Sequence, residues 1–258
     1  MARSSLKIMR DTVHALIMRE INTRFGSSKL GYFWALAEPA AQAAVLAILF
    51  SIIGRSSLSG VPVVVFMMVG LVPFKFFTKL ITQLADSVDA NKALLSYRQV
   101  GPLDPFCARL IIEVVTFILV FLILMVILAW FGYDVMPQDL LGLLYASLLL
   151  VYLSVGLGLV LCTITSIWED FEKVLQMMMR PLIFVSGVFF AATMIPAQYW
   201  YVVTWNPVFH LIEMMREAMF VTYTSPVADP TYVIIVSFVI NALGLMMFSV
   251  NKQRFLTT

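Results

Sequence analysis

Charge is scarce in this chain of 258 residues: 12% are Asp, Glu, Lys or Arg, against 61% hydrophobic. A soluble domain of that composition would leave too much apolar surface in water, so the shortage points to a helical protein in lipid. Cysteine is nearly absent too. Cys107 and Cys162 stand alone, outside any ligand-like spacing, which excludes a disulfide framework and a cysteine metal site. There is no G-x-x-x-x-G-K-[ST], hence no nucleotide held by a P-loop of its own, and no G-x-S-x-G, H-E-x-x-H or recognisable frame of paired catalytic carboxylates. "VSGVF" around Ser186 matches a nucleophile elbow only superficially, and "GLGLVL" lacks the third glycine of a dinucleotide fingerprint. Gly156 and Gly158 there are better placed to let helices pack closely. A cleavable signal peptide is missing as well, since "MARSSLKIMRDTVHALIMREINTRF" is charged throughout.

What the chain does have is long apolar runs. A span needs about 20 mainly apolar residues, because the hydrocarbon core is about 30 Å thick and a helix rises about 1.5 Å per residue. Trp34–Ile53, Val61–Ile81, Phe106–Phe131, Leu140–Ile164, Val174–Ile195 and Tyr232–Val250 qualify or nearly do. Each must be helical, since lipid leaves an exposed backbone no other partner. The expected fold is therefore an all-α polytopic membrane protein with six transmembrane helices. The cations set its orientation. Arg55 and Arg216 fall on one side of the alternation, and every other Lys and Arg falls on the other, in the N-terminal segment, the Lys75–Arg109 stretch, Lys173 and Arg180, and the tail with Lys252 and Arg254. The crowded side is cytoplasmic, with both termini inside.

Three segments are not simple spans. Leu6, Met9, Val13, Leu16, Ile21 and Phe25 recur at helical spacing among six cations, which predicts an amphipathic helix on the cytoplasmic headgroups over residues 1–33. It leads into "GSSKLGYFWALAEP": Lys29 at headgroup level, then Tyr32, Phe33 and Trp34 as an aromatic belt, then Pro39 in the first turns of the span. Glu38, inside the bilayer boundary, should face protein or water; the segment read as a simple membrane anchor leaves it unexplained. In the cytoplasmic connections, "SVDANKALL" reads as a short helix capped by Ser87, and "SIWEDFEKVLQMMMRP" sets Trp168 and Phe171 beside Glu169, Asp170 and Glu172. Both patterns suit short helices that seat in clefts of a soluble motor, and both suit ordinary solvated loops. Residues 196–230 are too apolar for an external loop and too broken by Pro196, Pro207 and Pro226 for a span. Two short helices dipping into the outer leaflet are expected, with Tyr199, Trp200, Tyr201 and Trp205 as the outer belt and His210 structural. Arg109 and Glu113, four apart, can pair on one face. The few intramembrane charges lie toward cytoplasmic ends, so the drive for transport should come from another chain.

"SSKLGYFWALAEPA" at Ser27–Ala40, "SIWEDFEKVLQMMMRPLIFVSGVFF" at Ser166–Phe190 and "WNPVFHLIEMMREAMF" at Trp205–Phe220 carry a resemblance over nearly the whole chain. In their order and spacing the chain resembles an ABC-2-type exporter permease, and more narrowly the capsular-polysaccharide export permeases of Gram-negative bacteria, the KpsM family. "AATMIPAQYW" departs from relatives with a proline soon after the paired phenylalanines, which bears on the outer gate's shape.

The resemblance implies one transmembrane domain over 1–258: the interface helix over 1–33, spans one to five over 34–195, a periplasmic gate over 196–230, then span six and the tail. It implies a multi-pass inner-membrane homodimer with no catalysis and no cofactor of its own, ATP and Mg being bound by two docked ATP-binding subunits. It further implies a lipid-linked acidic polysaccharide as cargo, and a periplasmic adaptor and outer-membrane exporter beyond, with no nucleic acid. Asp89, Asn91, Lys92, Leu94 and Leu95 would form the main coupling helix, Trp168, Glu169, Asp170 and Phe171 the second contact, and Tyr199, Trp200, Tyr201, Trp205 and His210 part of the gate. Arg19, Arg24 and Lys29, with Tyr32, Phe33, Trp34 and Glu38, would form a portal where cations draw acidic groups and aromatics stack on sugars. The alternatives are an O-antigen or teichoic-acid export permease and, in another class, a membrane-embedded glycan-modifying enzyme using His210 and Glu213.

Overall fold

A computed structural model describes residues 5–26, 31–54, 57–95, 97, 99–168, 170–252 and 254–257. The chain begins with helix α1 (Ser5–Gly26) and α2 (Gly31–Ile52), then a small hairpin of β1 (Ser57–Leu58) and β2 (Val61–Pro62). Next come α3 (Val63–Ala85), a single 3₁₀ turn at Asp89–Asn91 running into α4 (Lys92–Leu95), α5 (Leu103–Trp130) and α6 (Leu140–Ile167). After α7 (Phe171–Val185) follow the short α8 (Tyr201–Thr204), α9 (Pro207–Met219), α10 (Pro230–Val250) and α11 (Arg254–Thr257). Asp229 caps α10 by accepting from the amides of Thr231 and Tyr232, and Asn206 caps α9 through the amide of Val208. Each cap is followed by a proline in the first helical turn, where its missing N–H costs nothing.

α3 is the axis of the structure. It is apolar except along the face of Lys75, Thr78, Lys79 and Thr82, and it is buried over most of its surface, packed by α2, α5, α6, α7 and α9. The other large contact is α6 against α10. There Gly156 and Gly244 meet backbone to backbone: a Cβ on Gly244 would stand 2.8 Å from the Gly156 carbonyl oxygen. Gly158 plays the same part against α3, where a Cβ would fall 2.7 Å from Leu84. The close-packing role expected of these glycines is the one they have.

Among the described residues, four helices are long and apolar enough to cross a membrane: α3, α5, α6 and α10. The first expected span is α2, whose described apolar part, Ala37–Phe50, is shorter. Since α2 begins at Gly31, Pro39 lies beyond its first turns, well inside the helix. The fifth, expected over Val174–Ile195, is helical only to Val185. Pro181 cannot donate within α7, and Gly187 takes φ +69°, a left-handed turn with the Phe209 ring against it. The chain then runs through Ser186, Val188 and Ala191, all buried, to α8 and α9.

α1 forms where the apolar spacing predicts it and packs against α5. Its covered stripe runs Ile8–Met9, Thr12–Val13, Leu16–Ile17, Glu20–Ile21. Thr12 and Glu20 sit in that stripe despite their polarity. Glu20 is there because α5 offers it a cation.

Candidate functional site

Among the described residues, polar chemistry gathers in three places: the end of the bundle where α1 packs against α5, a groove along α3, and a buried knot on α9.

Where α1 meets α5, Arg109 in the first turns of α5 is the hub. Its guanidinium donates to the Gln83 carbonyl at 2.8 Å and lies 3.2 Å from Asp86 and 3.7 Å from Glu20 of α1. Glu113, set one turn further along α5, is held by Lys79 of α3 at 3.0 Å. Partners from other helices thus engage both members of the expected Arg109–Glu113 pair. Arg19, expected in the portal, donates to the Asn91 side chain at 3.1 Å, so α1 is tied to the connection between α3 and α5 as well as to α5 itself. That connection is anchored from behind. Asn91 donates to the Ser87 carbonyl, Thr165 of α6 donates to the Ala85 carbonyl, and Leu95 is buried near α11. Ser87 itself is buried against Cys162 and makes no side-chain cap bond, because the turn begins at Val88.

The two segments expected to couple meet at one cleft. A cavity of about 190 Å³ is lined by Asp86, Asp89 and Lys92 from one side and Glu172 and Thr165 from the other. Lys92 lies 3.3 Å from Asp89, while Leu94 is half-buried. Trp168 is exposed, with its ring 5.7 Å from that of Phe171. Asp170 accepts from Lys173 at 2.7 Å, and that bond and charge hold its carboxyl below the ordinary range. Glu169 lies outside the described residues.

The groove is a polar cavity of about 690 Å³ between α2, α3 and α7. Lys75, Lys79 and Arg180 supply three cations to it against one carboxylate, Glu38, with Gln42, Thr78, Thr82 and Gln176 between them. Glu38 binds Lys75 at 2.5 Å. The carboxylate expected to face protein or water does so. Phe33 and Trp34 are exposed in the first turn of α2, edge to face, with Trp34 bordering a neighbouring cavity. Lys29 lies outside the described residues, as do the side chains of Arg24 and Tyr32. Sequence reading missed Lys75, Lys79 and Arg180 as one set. Their common signal was position: cations inside or at the edge of apolar runs on helices that meet only in the fold.

The buried knot is built on α9. Arg216 is fully buried; it donates to the carbonyls of Gly187, Phe190 and Val188 and pairs with Glu213 at 3.1 Å. Its guanidinium lies 3.8 Å from the centre of the Phe66 ring. Glu213 also accepts from Tyr223, from Ser225 at 2.9 Å and from the Ala192 amide at 3.3 Å. Arg216, assigned to an outer loop by alternation, is inside the protein. His210 is buried; its Nδ1 accepts from the Asp229 amide, so Nε2 is the nitrogen that donates to the Thr204 carbonyl. His210 and Glu213 each spend their polar atoms on the protein itself, which counts against the enzyme reading. Tyr199, Tyr201 and Trp205 are exposed, and Trp200 donates to the Ile195 carbonyl.

Residues 12–220 match the family model described as ABC-2 type transporter. The chain is 34% identical to the polysialic acid transport protein KpsM of Escherichia coli over 258 residues, covering all of both chains. It is 31% identical to the capsule polysaccharide export inner-membrane protein CtrC of Neisseria meningitidis serogroup B, covering 95% of this chain and 92% of that one. It is 22% identical to the O-antigen export system permease protein RfbA of Klebsiella pneumoniae, covering 97% and 96%.

Proposed function

The chain belongs to the ABC-2 type transporter family, and from that premise we propose that it is the inner-membrane permease subunit of an ATP-driven exporter moving lipid-linked capsular polysaccharide outward. The groove carries the reading. It is an open polar trough with an excess of cations, running along the central helix of an otherwise apolar bundle. Spaced cations among hydroxyl and amide side chains suit an acidic polymer, which can be handed along without being bound tightly at one point.

In this reading α2 is the first crossing, α7 and the turn after it supply the inner part of the fifth, and both termini are cytoplasmic. Residues 196–230 close the outer end, with Tyr199, Trp200, Tyr201 and Trp205 at its rim and His210 holding the segment's shape. A second copy of the chain faces the groove. Two ATP-binding subunits, which hold ATP and Mg, seat at the cleft between the Asp89–Leu95 segment and Trp168–Phe171. Arg19, Arg24 and Lys29, with Tyr32, Phe33, Trp34 and Glu38, lead the cargo in. A periplasmic adaptor and an outer-membrane exporter receive it.

The test has two parts. Mild-detergent purification from the native host should bring down an ABC ATPase at near-equal stoichiometry. Charge reversal in the groove, Arg180→Glu with Gln176→Glu, should cut surface polysaccharide at least tenfold with protein level and ATPase recovery unchanged. A clean preparation without ATPase, or full surface polysaccharide in the reversed variant, would overturn the proposal. O-antigen export is the second reading, favoured by the similarity to the Klebsiella permease. A neutral O-polysaccharide, however, gives the excess of groove cations nothing to do.

A further inference from the structure

A second cavity, about 280 Å³, lies across the Glu38–Lys75 pair from the groove, between α2, α3 and α5. Lys75, Lys79 and Glu38 line both spaces. Apart from these groups, Glu113 and Thr116, the walls of the second cavity are apolar: Trp34, Phe76, Phe117 and Val120, with the Phe76 and Phe117 rings stacked at 4.3 Å. The outward residues of α5 beside it, Val115, Ile118 and Leu119, are exposed and apolar, the kind of surface that lipid covers.

The two ion pairs here are unequal. Glu113 has 2% of its side chain exposed, so its carboxylate cannot leave Lys79 without a large desolvation cost. Glu38 is 64% exposed and borders the open groove, so it loses little by swinging away from Lys75. Lys79 is itself half exposed, and an ammonium has three N–H donors, more than its bond to Glu113 uses. An incoming anion therefore finds one lysine it can win and a second with donors to spare.

We propose that this cavity binds the phosphate end of an anionic lipid. Lys75 and Lys79 hold the phosphate oxygens, while Trp34, Phe117 and Val120 cover the first methylenes of the chain. Charge complementarity and the apolar wall together select that occupant: free phosphate gains nothing from the wall, and a neutral lipid nothing from the lysines. Binding displaces Glu38 from Lys75 and so removes the partition between cavity and groove. The biological ligand rests on the export reading, in which the site would hold a lipid anchor's phosphate while the sugar chain enters the groove. The binding chemistry does not rest on it.

The test is native mass spectrometry of the detergent-purified full-length protein, offered phosphatidylglycerol or phosphatidylcholine as probe. Wild type should retain phosphatidylglycerol at least tenfold better than K75Q/K79Q. V120W, which fills the cavity and keeps both lysines, should lose it as well. E38Q, which frees Lys75, should retain about fivefold more than wild type, a gain that misfolding cannot produce. Excess inorganic phosphate should leave the lipid bound. Retention unaffected by the lysine changes, unaffected by V120W, not raised by E38Q, or abolished by inorganic phosphate would each overturn the site. The R180E/Q176E variant, whose residues lie outside this cavity, should keep its lipid, so failure of export and failure of lipid binding are told apart.

Discussion

Glu213→Ala is the sharpest perturbation this structure offers. The carboxylate is fully buried, and its removal leaves the equally buried Arg216 guanidinium without its counter-charge. Breaking a buried pair from one side costs about 3–5 kcal/mol. Three carbonyls and the Phe66 ring still receive Arg216, which argues for the lower end. The same change strips the Tyr223 and Ser225 hydroxyls and the Ala192 amide of their acceptor, which pushes the cost back up. About 4 kcal/mol is a large part of the roughly 5–15 kcal/mol by which folded proteins are stable, and for a chain of this size it lowers the melting temperature by about 10 °C. The companion variant Glu213→Leu with Arg216→Met removes both charges and should recover at least half of that loss. Thermal unfolding of the detergent-purified protein, followed by monodispersity, measures both. A single variant within about 1 kcal/mol of wild type, or a double variant worse than the single, would refute the account of this knot as a buried ion pair.

Two further outcomes follow from packing. Gly244→Val drives a side chain into the Gly156 carbonyl and Leu159, so it should destabilise by about 1–3 kcal/mol and cut the amount of folded protein recovered from membranes. Arg109→Ala frees Asp86, the Gln83 carbonyl and Glu20 at once. Limited proteolysis should then cut α1 at least tenfold faster, and an unchanged rate would show that apolar packing alone holds α1 to α5.

Much of the architecture was legible in the sequence because lipid leaves the backbone few choices. Runs such as Leu140–Ile164 and Tyr232–Val250 had to be helices, and helices they are. The helical spacing from Met9 to Ile21 gave α1, and the glycines of "GLGLVL" announced close packing. The fifth run was misjudged because hydropathy does not register a turn. Ser186 and Gly187 are small enough to pass as membrane residues, yet the helix ends there, with Gly187 in the left-handed region.

The candidate site divides along the same line. A residue whose constraint is local, the carboxylate at Glu38 that could not face lipid, was readable where it stands. Which charges meet was not. Glu20 with Arg109, Arg19 with Asn91, Lys79 with Glu113 and Lys75 with Glu38 all join different elements. The sequence alone determined that this is a helical membrane chain with sparse, one-sided charge, because the cost of burying a polar group in hydrocarbon acts on each segment separately. The tertiary structure alone decided that three scattered cations line one groove and that Arg216 is a core residue. Electrostatic partners and cavities depend on distances between helices, and neither periodicity nor composition records those.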